Sequence, residues 1–167
     1  MATAYSKIQR NFWETDEARE MTPEEKYFWM YLQTNANVNT LGCYAFRMRK
    51  AMDETGYNRE TLEKLLQRME QVLRILYDEG TKEVFLLHWA EGNWNKKTAT
   101  LRALAADLKE IQSKTLKETV KTLLLKNGIF TEEEVEKAEK TAPSAQERNE
   151  KEQRGTTGNK RSGEGRR

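Results

Sequence analysis

The fold is decided by the stretch Gly56-Tyr57-Asn58-Arg59-Glu60-Thr61, because this stretch predicts where a long amphipathic helix begins. Gly56 permits the positive φ of a sharp turn, and the side chain of Asn58 is suited to accept a hydrogen bond from an unpaired first-turn N–H group. Glu60 complements the positive end of the helix dipole. The helix is therefore predicted to begin at Asn58 or Arg59.

Downstream of this start, apolar residues recur at intervals of three and four, which places one stripe of the helix against a core. The stripe consists of Leu62, Leu65, Leu66, Met69, Val72, Leu73 and Leu76. The opposite face carries Arg59, Glu63, Lys64, Gln67 and Gln71. The preceding segment, Phe46 to Thr55, has apolar residues on one side and basic residues available to solvent, so it is predicted to form the first helix of a helix-turn-helix pair.

Two β-rich runs follow this helix pair, at Arg74 to Tyr77 and at Val84 to Trp89. They flank a polar connection with Gly80 at its turn, which predicts a β-hairpin. A short strand after Leu41 precedes the helix pair. The order of strand, two helices and hairpin is that of a winged helix-turn-helix with the hairpin as the wing, so the predicted fold class is mainly α with a small β-hairpin wing.

Further helices are predicted on both sides of this unit. Thr22, Pro23 and Glu25 form a capping box with proline at the first helical position, which predicts a helix from Pro23 to about Thr34. A second box at Thr131 to Glu134 starts a short charged helix ending near Lys140. Two apolar stripes predict the helices between: Leu101, Leu104, Ala105, Leu108 and Ile111, then Leu116, Val120, Leu123 and Leu124. The N-terminal segment is expected to bury Ile8, Phe12 and Trp13.

The chain divides into three predicted segments: a winged-helix domain at 1-92, a helical extension at 93-142 and a disordered basic tail at 143-167. The first boundary follows the pattern break at Gly92 to Lys97. Beyond Pro143 no apolar residue is larger than Ala145, so the tail cannot bury enough surface to offset its ordering entropy.

The net charge of +2 over 167 residues is unevenly distributed. Residues 1 to 89 have 12 basic and 14 acidic side chains, residues 90 to 142 have 10 and 9, and residues 143 to 167 have 7 and 4. The basic excess therefore lies in the tail, which weakens any argument for nucleic-acid binding that rests on bulk charge.

The sequence offers no segment for a membrane and no ordinary zinc site. No run of about 18 apolar residues is present, and the N-terminus lacks the pattern of an export signal, so a soluble cytoplasmic protein without membrane contact is expected. The single cysteine and single histidine, Cys43 and His88, exclude an ordinary Cys/His zinc site, and no cofactor is predicted.

No catalytic constellation is apparent, and an enzyme is not expected. Cys43 and His88 fall on candidate strands and are close enough in the predicted sheet for a thiol/imidazole dyad to be considered. Neither belongs to a cleft-forming element, and no Asn or Asp is placed to orient the imidazole, so structural roles are the better interpretation. Acidic pairs such as Glu24/Glu25 lie at helix starts, where the dipole explains them.

Binding to DNA is predicted from polar and basic side chains around the turn and along the outward face of the second helix, because Asn, Gln and Arg read base edges in the major groove. The candidates are Arg47, Arg49, Lys50, Asn58, Arg59, Lys64, Gln67, Arg68 and the wing residue Lys82. Several carboxylates oppose this interpretation, namely Glu60, Glu63, Asp78, Glu79 and Glu83. A winged helix that serves protein association therefore remains an alternative.

The helix predicted from Pro23 to Thr34 has more aromatic surface than one buried stripe can cover. Its aromatic residues include Tyr27, Trp29 and Tyr31. Two interpretations remain open: a thick core, or a surface for self-association, where such residues are enriched.

Several strings together resemble the N-terminal domain of DnaD-like phage and prophage replication proteins, over roughly residues 5 to 130. They are Tyr5-Ser6-Lys7-Ile8, Phe12-Trp13-Glu14, Met21-Thr22-Pro23-Glu24-Glu25-Lys26-Tyr27-Phe28, Thr55-Gly56-Tyr57-Asn58-Arg59-Glu60-Thr61, Ile75-Leu76-Tyr77-Asp78, Asn93-Trp94, Leu108-Lys109-Glu110-Ile111 and Asn127-Gly128-Ile129. After residue 130 the pattern departs from the family, since no second helical domain with its Tyr-rich motif is recognisable.

The resemblance implies a role in replication initiation in a bacterial host cell. It implies binding to duplex or single-stranded DNA, homo-oligomer formation and contacts with host helicase-loader proteins. Two alternatives of other kinds stay open: a scaffold that does not bind DNA, and a transcriptional regulator with the same fold.

Overall fold

The computed structural model describes residues 6–8 and 10–141, and this part of the chain is mainly helical with one small antiparallel sheet. The predicted tail, 143-167, lies outside the described residues. After a 3-10 helix at Arg10–Glu14, the elements in chain order are α1 (Asp16–Glu20), α2 (Pro23–Thr34), β1 (Cys43–Ala45), α3 (Met48–Thr55), α4 (Arg59–Gln71), β2 (Ile75–Asp78), β3 (Glu83–Leu86), α5 (Trp89–Asn93), α6 (Thr98–Glu110), α7 (Lys114–Lys126) and α8 (Glu132–Thr141).

The sheet has the strand order β1-β3-β2, and both pairings are antiparallel. Cys43 lies opposite Phe85, and Ile75 lies opposite Leu86. The predicted hairpin is therefore present as β2 and β3, but its second strand ends at Leu86 rather than at Trp89. After the strand the chain enters α5, at whose start the indole Nε1 of Trp89 donates to the carbonyl of Thr40, 3.0 Å away.

The predicted helix starts are present with their capping hydrogen bonds. The Oδ1 atom of Asn58 accepts from the N–H of Thr61 at 2.9 Å, and Gly56 has a φ of 77° at the end of α3. The Thr22 and Glu25 capping box begins α2. Leu73 differs from its prediction as part of the buried stripe, because α4 ends at Gln71 and the chain then turns, leaving the Leu73 side chain 67% exposed.

The buried apolar side chains form one continuous cluster that combines the two segments predicted as winged-helix domain and helical extension. Two residues of the second segment hold the loop before β1: the indole of Trp94 donates to the carbonyl of Leu41 at 3.2 Å, and the carboxylate of Asp107 accepts from the Leu41 N–H at 3.2 Å. The predicted boundary at 92 and 93 is therefore not a break in packing.

The N-terminal anchors are buried only in part. Phe12 is buried, but Ile8 is 38% exposed and Trp13 is 61% exposed, so the prediction of burial is wrong for these two residues. The 3-10 helix is only five residues long, and Phe12 is the residue of this helix that is buried. The ring of Trp13 instead packs edge-on against Phe12, with 5.2 Å between the ring centroids.

None of the helices in the described part of the chain combines the length and the apolar character that crossing a membrane requires.

Candidate nucleic-acid interface

A cleft of about 290 Å³ lies between α4, the start of α3 and the β2–β3 hairpin. We call it the α4–hairpin cleft. Its apolar part includes Phe46, Leu66 and Tyr77, which also belong to the core or pack against it. Its charged and polar part consists of Arg59, Glu63, Gln67, Glu70, Glu79 and Lys82.

The structure brings three of the predicted DNA-binding residues together in this cleft, namely Arg59, Gln67 and Lys82. Arg47 is adjacent, because the N–H of its neighbour Phe46 donates to the carbonyl of Lys82 at 2.7 Å. Arg47 and Gln67 are exposed and form no ion pair or side-chain hydrogen bond with the residues that the structure describes. These four residues are available to a ligand that approaches α4 and the hairpin together.

The cations of this face are mostly paired with exposed carboxylates. Arg59 lies 3.5 Å from Glu63, and Lys64 lies 2.7 Å from Glu60. The hydrogen bond and charge of Lys64 lower the pKa of the Glu60 carboxyl. Lys82 pairs with Glu79. Exposed pairs of this kind contribute only about 0–1 kcal/mol, so a phosphate can replace the carboxylate at small cost.

Three other predicted DNA-binding residues already make contacts within the chain. Arg68 donates from Nε to the buried Glu25 of α2 at 2.9 Å, and Lys50 lies 3.7 Å from Glu54 within α3. The side-chain oxygen of Asn58 caps α4. Because Glu25 is buried, its pair with Arg68 is costly to break, and Arg68 is corrected here to a structural role. Lys50 and Asn58 make contacts that are exposed or partly exposed, so both stay predicted DNA contacts. Arg49 is exposed on α3.

Two of the carboxylates expected at the wing tip do not face solvent as free charges. Glu83 is buried and accepts from the N–H groups of Gln112 and Ser113, the latter at 2.7 Å. Asp78 accepts from the hydroxyl of Ser113 and from the turn N–H groups of the hairpin. The Ser113 hydrogen bond, followed by that from Thr81, lowers the pKa of Asp78. Both carboxylates keep their charge, because these donors are neutral, but their hydrogen bonds hold them against the α6–α7 connection.

Sequence reasoning missed Ser113, which joins the hairpin to the α6–α7 connection. Its side chain also accepts from the N–H of Leu116 and so caps α7. A serine before a helix is a local signal for a cap. The contact with Asp78 has no local signal, because the two residues are far apart along the chain.

Cys43 and His88 do not form a dyad. Cys43 is buried on β1, and burial raises the pKa of its thiol. His88 is exposed just before α5, where its Nδ1 lies 3.5 Å from Glu91. A protonated thiol without a hydrogen bond to the imidazole is not an activated nucleophile.

The three aromatic candidates for self-association lie in different environments. Trp29 is only 4% exposed and belongs to the core, which corrects its assignment to a contact surface. Tyr31 is half-buried and donates its hydroxyl to Glu54 at 2.8 Å. Tyr27 is 46% exposed and packs edge-on against Tyr57, with 5.8 Å between ring centroids. Tyr27 alone of the three presents a large exposed surface.

Comparison of the chain with protein-family models, with curated proteins and with solved structures gave no match.

Proposed function

We propose that this chain is a DNA-binding replication initiation protein of the phage or prophage type, built on a winged helix-turn-helix. In this proposal α3 and α4 are the helix pair, α4 is the recognition helix, and β2 with β3 is the wing. The observation that carries the proposal is the convergence of Arg59, Gln67 and Lys82 in one cleft with Arg47 beside it. The replication role, including contact with host helicase-loading proteins, rests on the resemblance to DnaD-like proteins.

The chemistry of the cleft divides the contacts with DNA into two kinds. Arg47 and Lys82 lie at the junction of α3 and the hairpin and are placed for backbone phosphates, which position a protein without reading sequence. Gln67 is exposed on α4 and free to pair with a base edge, as Gln does with adenine. In the proposed complex the Arg59 side chain leaves Glu63 and binds a phosphate or a guanine of the DNA instead.

A second candidate function is a scaffold that binds protein partners. The observation that favours it is the number of carboxylates in the same cleft, since Glu63, Glu70 and Glu79 line it beside two cations. Glu70 accepts from the N–H of Tyr77, which fixes its charge in place. A surface of mixed charge with an apolar floor suits a protein segment as well as a phosphate backbone.

The two functions are separated by the salt dependence of binding to a labelled duplex. Contacts with phosphates make log K fall with log salt by about 0.9 for each phosphate neutralised. The double variant Arg59→Glu with Lys82→Glu removes two contacts and adds two repulsive charges. We expect it to lose at least about tenfold in affinity and to have a shallower salt slope by about two.

The matched control is Lys96→Glu with Lys97→Glu, which makes the same change in charge on the exposed connection between α5 and α6. The hairpin turn precedes β3, whereas this connection comes after β3 and α5. Equal losses in both double variants would assign DNA binding to bulk charge, and absence of binding at low salt would favour the scaffold. Circular dichroism checks that both variants are folded, as expected for exposed substitutions.

A further inference from the structure

The two carboxylates of the hairpin strands, those of Asp78 and Glu83, lie directly opposite each other. Asp78 ends β2, Glu83 begins β3, and the two residues are partners in the register of the strands. Side chains at paired positions share one face of a sheet, and like charges there destabilise the strand pair. The pairing therefore depends on hydrogen-bond donors that hold both carboxylates in place.

Ser113 donates to both carboxylates. Its N–H donates to Glu83 at 2.7 Å, and its hydroxyl donates to the Oδ2 atom of Asp78. The N–H of Gln112 adds a further hydrogen bond to Glu83 at 3.0 Å. Ser113 and Glu83 are only 2% and 5% exposed, so the contact between them is shielded from water. One serine of the α6–α7 connection therefore binds both strands of the hairpin where they meet the turn.

Asp78 links this contact to the turn of the hairpin. Its other oxygen, Oδ1, accepts from the N–H groups of Gly80 and Thr81 at 2.8 and 3.1 Å. Lys82 ends the turn with a φ of 57°, which is uncommon for a residue other than glycine and persists only where the surrounding structure holds it. A shift of Asp78 therefore moves the turn that carries Lys82.

Ser113 acts from the side of the sheet opposite the α4–hairpin cleft. Successive side chains of a strand point to opposite faces. Tyr77 lines the cleft together with Glu79 and Lys82, whereas Asp78 contacts Ser113. Because Ser113 is buried and does not line the cleft, it does not reach DNA that binds there. An effect of Ser113 on DNA binding in the folded chain is therefore indirect.

We propose that Ser113 is a positioning residue for the wing. By holding Asp78 and Glu83 together, it fixes the turn of residues 79 to 82 and keeps the ammonium group of Lys82 in place for a backbone phosphate. This inference rests on the proposed DNA binding by the α4–hairpin cleft. It gives the connection between α6 and α7 a part in that binding without any contact with DNA.

The first measurement is hydrogen exchange of single amides in the full chain without DNA. The Phe46 amide reports the position of Lys82, because it donates to the Lys82 carbonyl at 2.7 Å. In Ser113→Ala we expect this amide to exchange about tenfold faster, since the turn is released. The Leu86 amide, which donates to Gly42 at the other end of β3, should change by less than about twofold. An unchanged Phe46 amide, or equal acceleration of both amides, would contradict the proposal.

Ser113 also caps α7, so the test includes a variant that loses a different helix cap. Thr131→Ala removes the cap of α8, where the Thr131 hydroxyl accepts from the N–H of Glu134 at 3.3 Å, and it leaves the hairpin contacts intact. We expect it to change neither the exchange of the Phe46 amide nor the affinity for DNA. If it reproduced the effects of Ser113→Ala, the loss of a helix cap would explain them and the positioning role would be rejected.

The second measurement is a double-mutant cycle of affinity for a labelled duplex, with Ser113→Ala and Lys82→Gln. We expect Ser113→Ala to weaken binding about fivefold alone and to have no effect beside Lys82→Gln, because the contact that it displaces is then already absent. Equal losses in the two backgrounds would show that Ser113 does not act through Lys82, which rejects the positioning role and leaves the proposed function intact. A wild-type chain that binds no DNA at low salt would reject the proposed function and the positioning role together.

Discussion

At the scale of single residues, Gly42 shows how closely the loop before β1 approaches α5. A Cβ atom at Gly42 would lie 2.4 Å from the ring of Trp89, and the φ of Gly42 is 78°. The Gly42 N–H donates to the side chain of Asn39, and its carbonyl accepts from Leu86. The absence of a side chain therefore lets the sheet, the loop and α5 meet at one point.

We expect Gly42→Ala to lower the free energy of unfolding by about 3 kcal/mol, since it combines a left-handed backbone penalty with an overpacked contact. The matched control is Gly56→Ala, whose φ of 77° is nearly the same but whose Cβ would meet no atom within 4 Å. It should lose only about 1–2 kcal/mol. Urea denaturation followed by circular dichroism measures both. Equal losses would mean that Trp89 moves aside without penalty.

The sequence predicts the structural role of one of these glycines but not that of the other. Gly56 stands between two helical patterns and next to Asn58, so its turn is visible locally. The constraint on Gly42 comes from Trp89, which is distant along the chain, and no local pattern reports it. The same reason explains why Ser113 was missed as the partner of Asp78.

At the scale of elements, one carboxylate links α2 to α4 in addition to the apolar core that the two helices share. The two oxygens of Glu25 accept from different groups: one from the N–H of Thr22, which completes the capping box, and one from Nε of Arg68 at 2.9 Å. Glu25 therefore fixes the start of α2 and holds α4 against it. A buried carboxylate that loses its cation is left with part of its charge uncompensated.

We expect Arg68→Ala to lower the free energy of unfolding by about 2 kcal/mol, because it leaves Glu25 without its cation. The matched control on the same helix is Lys64→Ala, which breaks only the exposed pair with Glu60 and should change stability by less than about 0.5 kcal/mol. Thermal or chemical denaturation distinguishes the two. Stability losses of equal size would place Arg68 in solvent and restore it as a candidate for DNA contact.

Helical periodicity predicts which residues of α4 are buried but not which charged residue meets α2. Leu62, Leu65, Leu66 and Met69 are buried as the spacing predicts. Arg68 lies at the border of that stripe, where the same position suits either solvent or a neighbouring helix. Its role is decided by the placement of α2, which a local pattern does not contain.

At the scale of the whole molecule, the hairpin and the loop before β1 are both held by the helices that follow. Glu83 joins the hairpin to the α6–α7 connection, while Trp94 and Asp107 hold Leu41. The polar run before α6 looks like a linker in sequence because it contains a glycine, asparagines and lysines. Composition indicates where the local pattern breaks. It does not indicate the long-range contacts that join the residues on the two sides of the break.

The last prediction concerns a fragment that ends at residue 92, the predicted end of the winged-helix domain. The missing helices contribute Leu104, Leu108 and Leu124, all fully buried in the common core. Burial of a leucine contributes about 1.5–3 kcal/mol, so these three side chains alone approach the total stability of about 5–15 kcal/mol that a domain has. We expect the fragment to lack a cooperative thermal transition and to show poorly dispersed NMR spectra.

The matched control fragment ends at residue 141 and removes only residues outside the described part of the chain. Its composition predicts little buried surface in the deleted segment, so its melting temperature should stay within a few degrees of the full chain while any non-specific DNA affinity falls with the lost net charge of +3. A cooperative transition in the 92-residue fragment at the temperature of the full chain would show that the contacts of Glu83, Trp94 and Asp107 join two independent units. Loss of the transition in the short fragment alone would show that the hairpin proposed to contact DNA is stable only with α6 and α7 behind it.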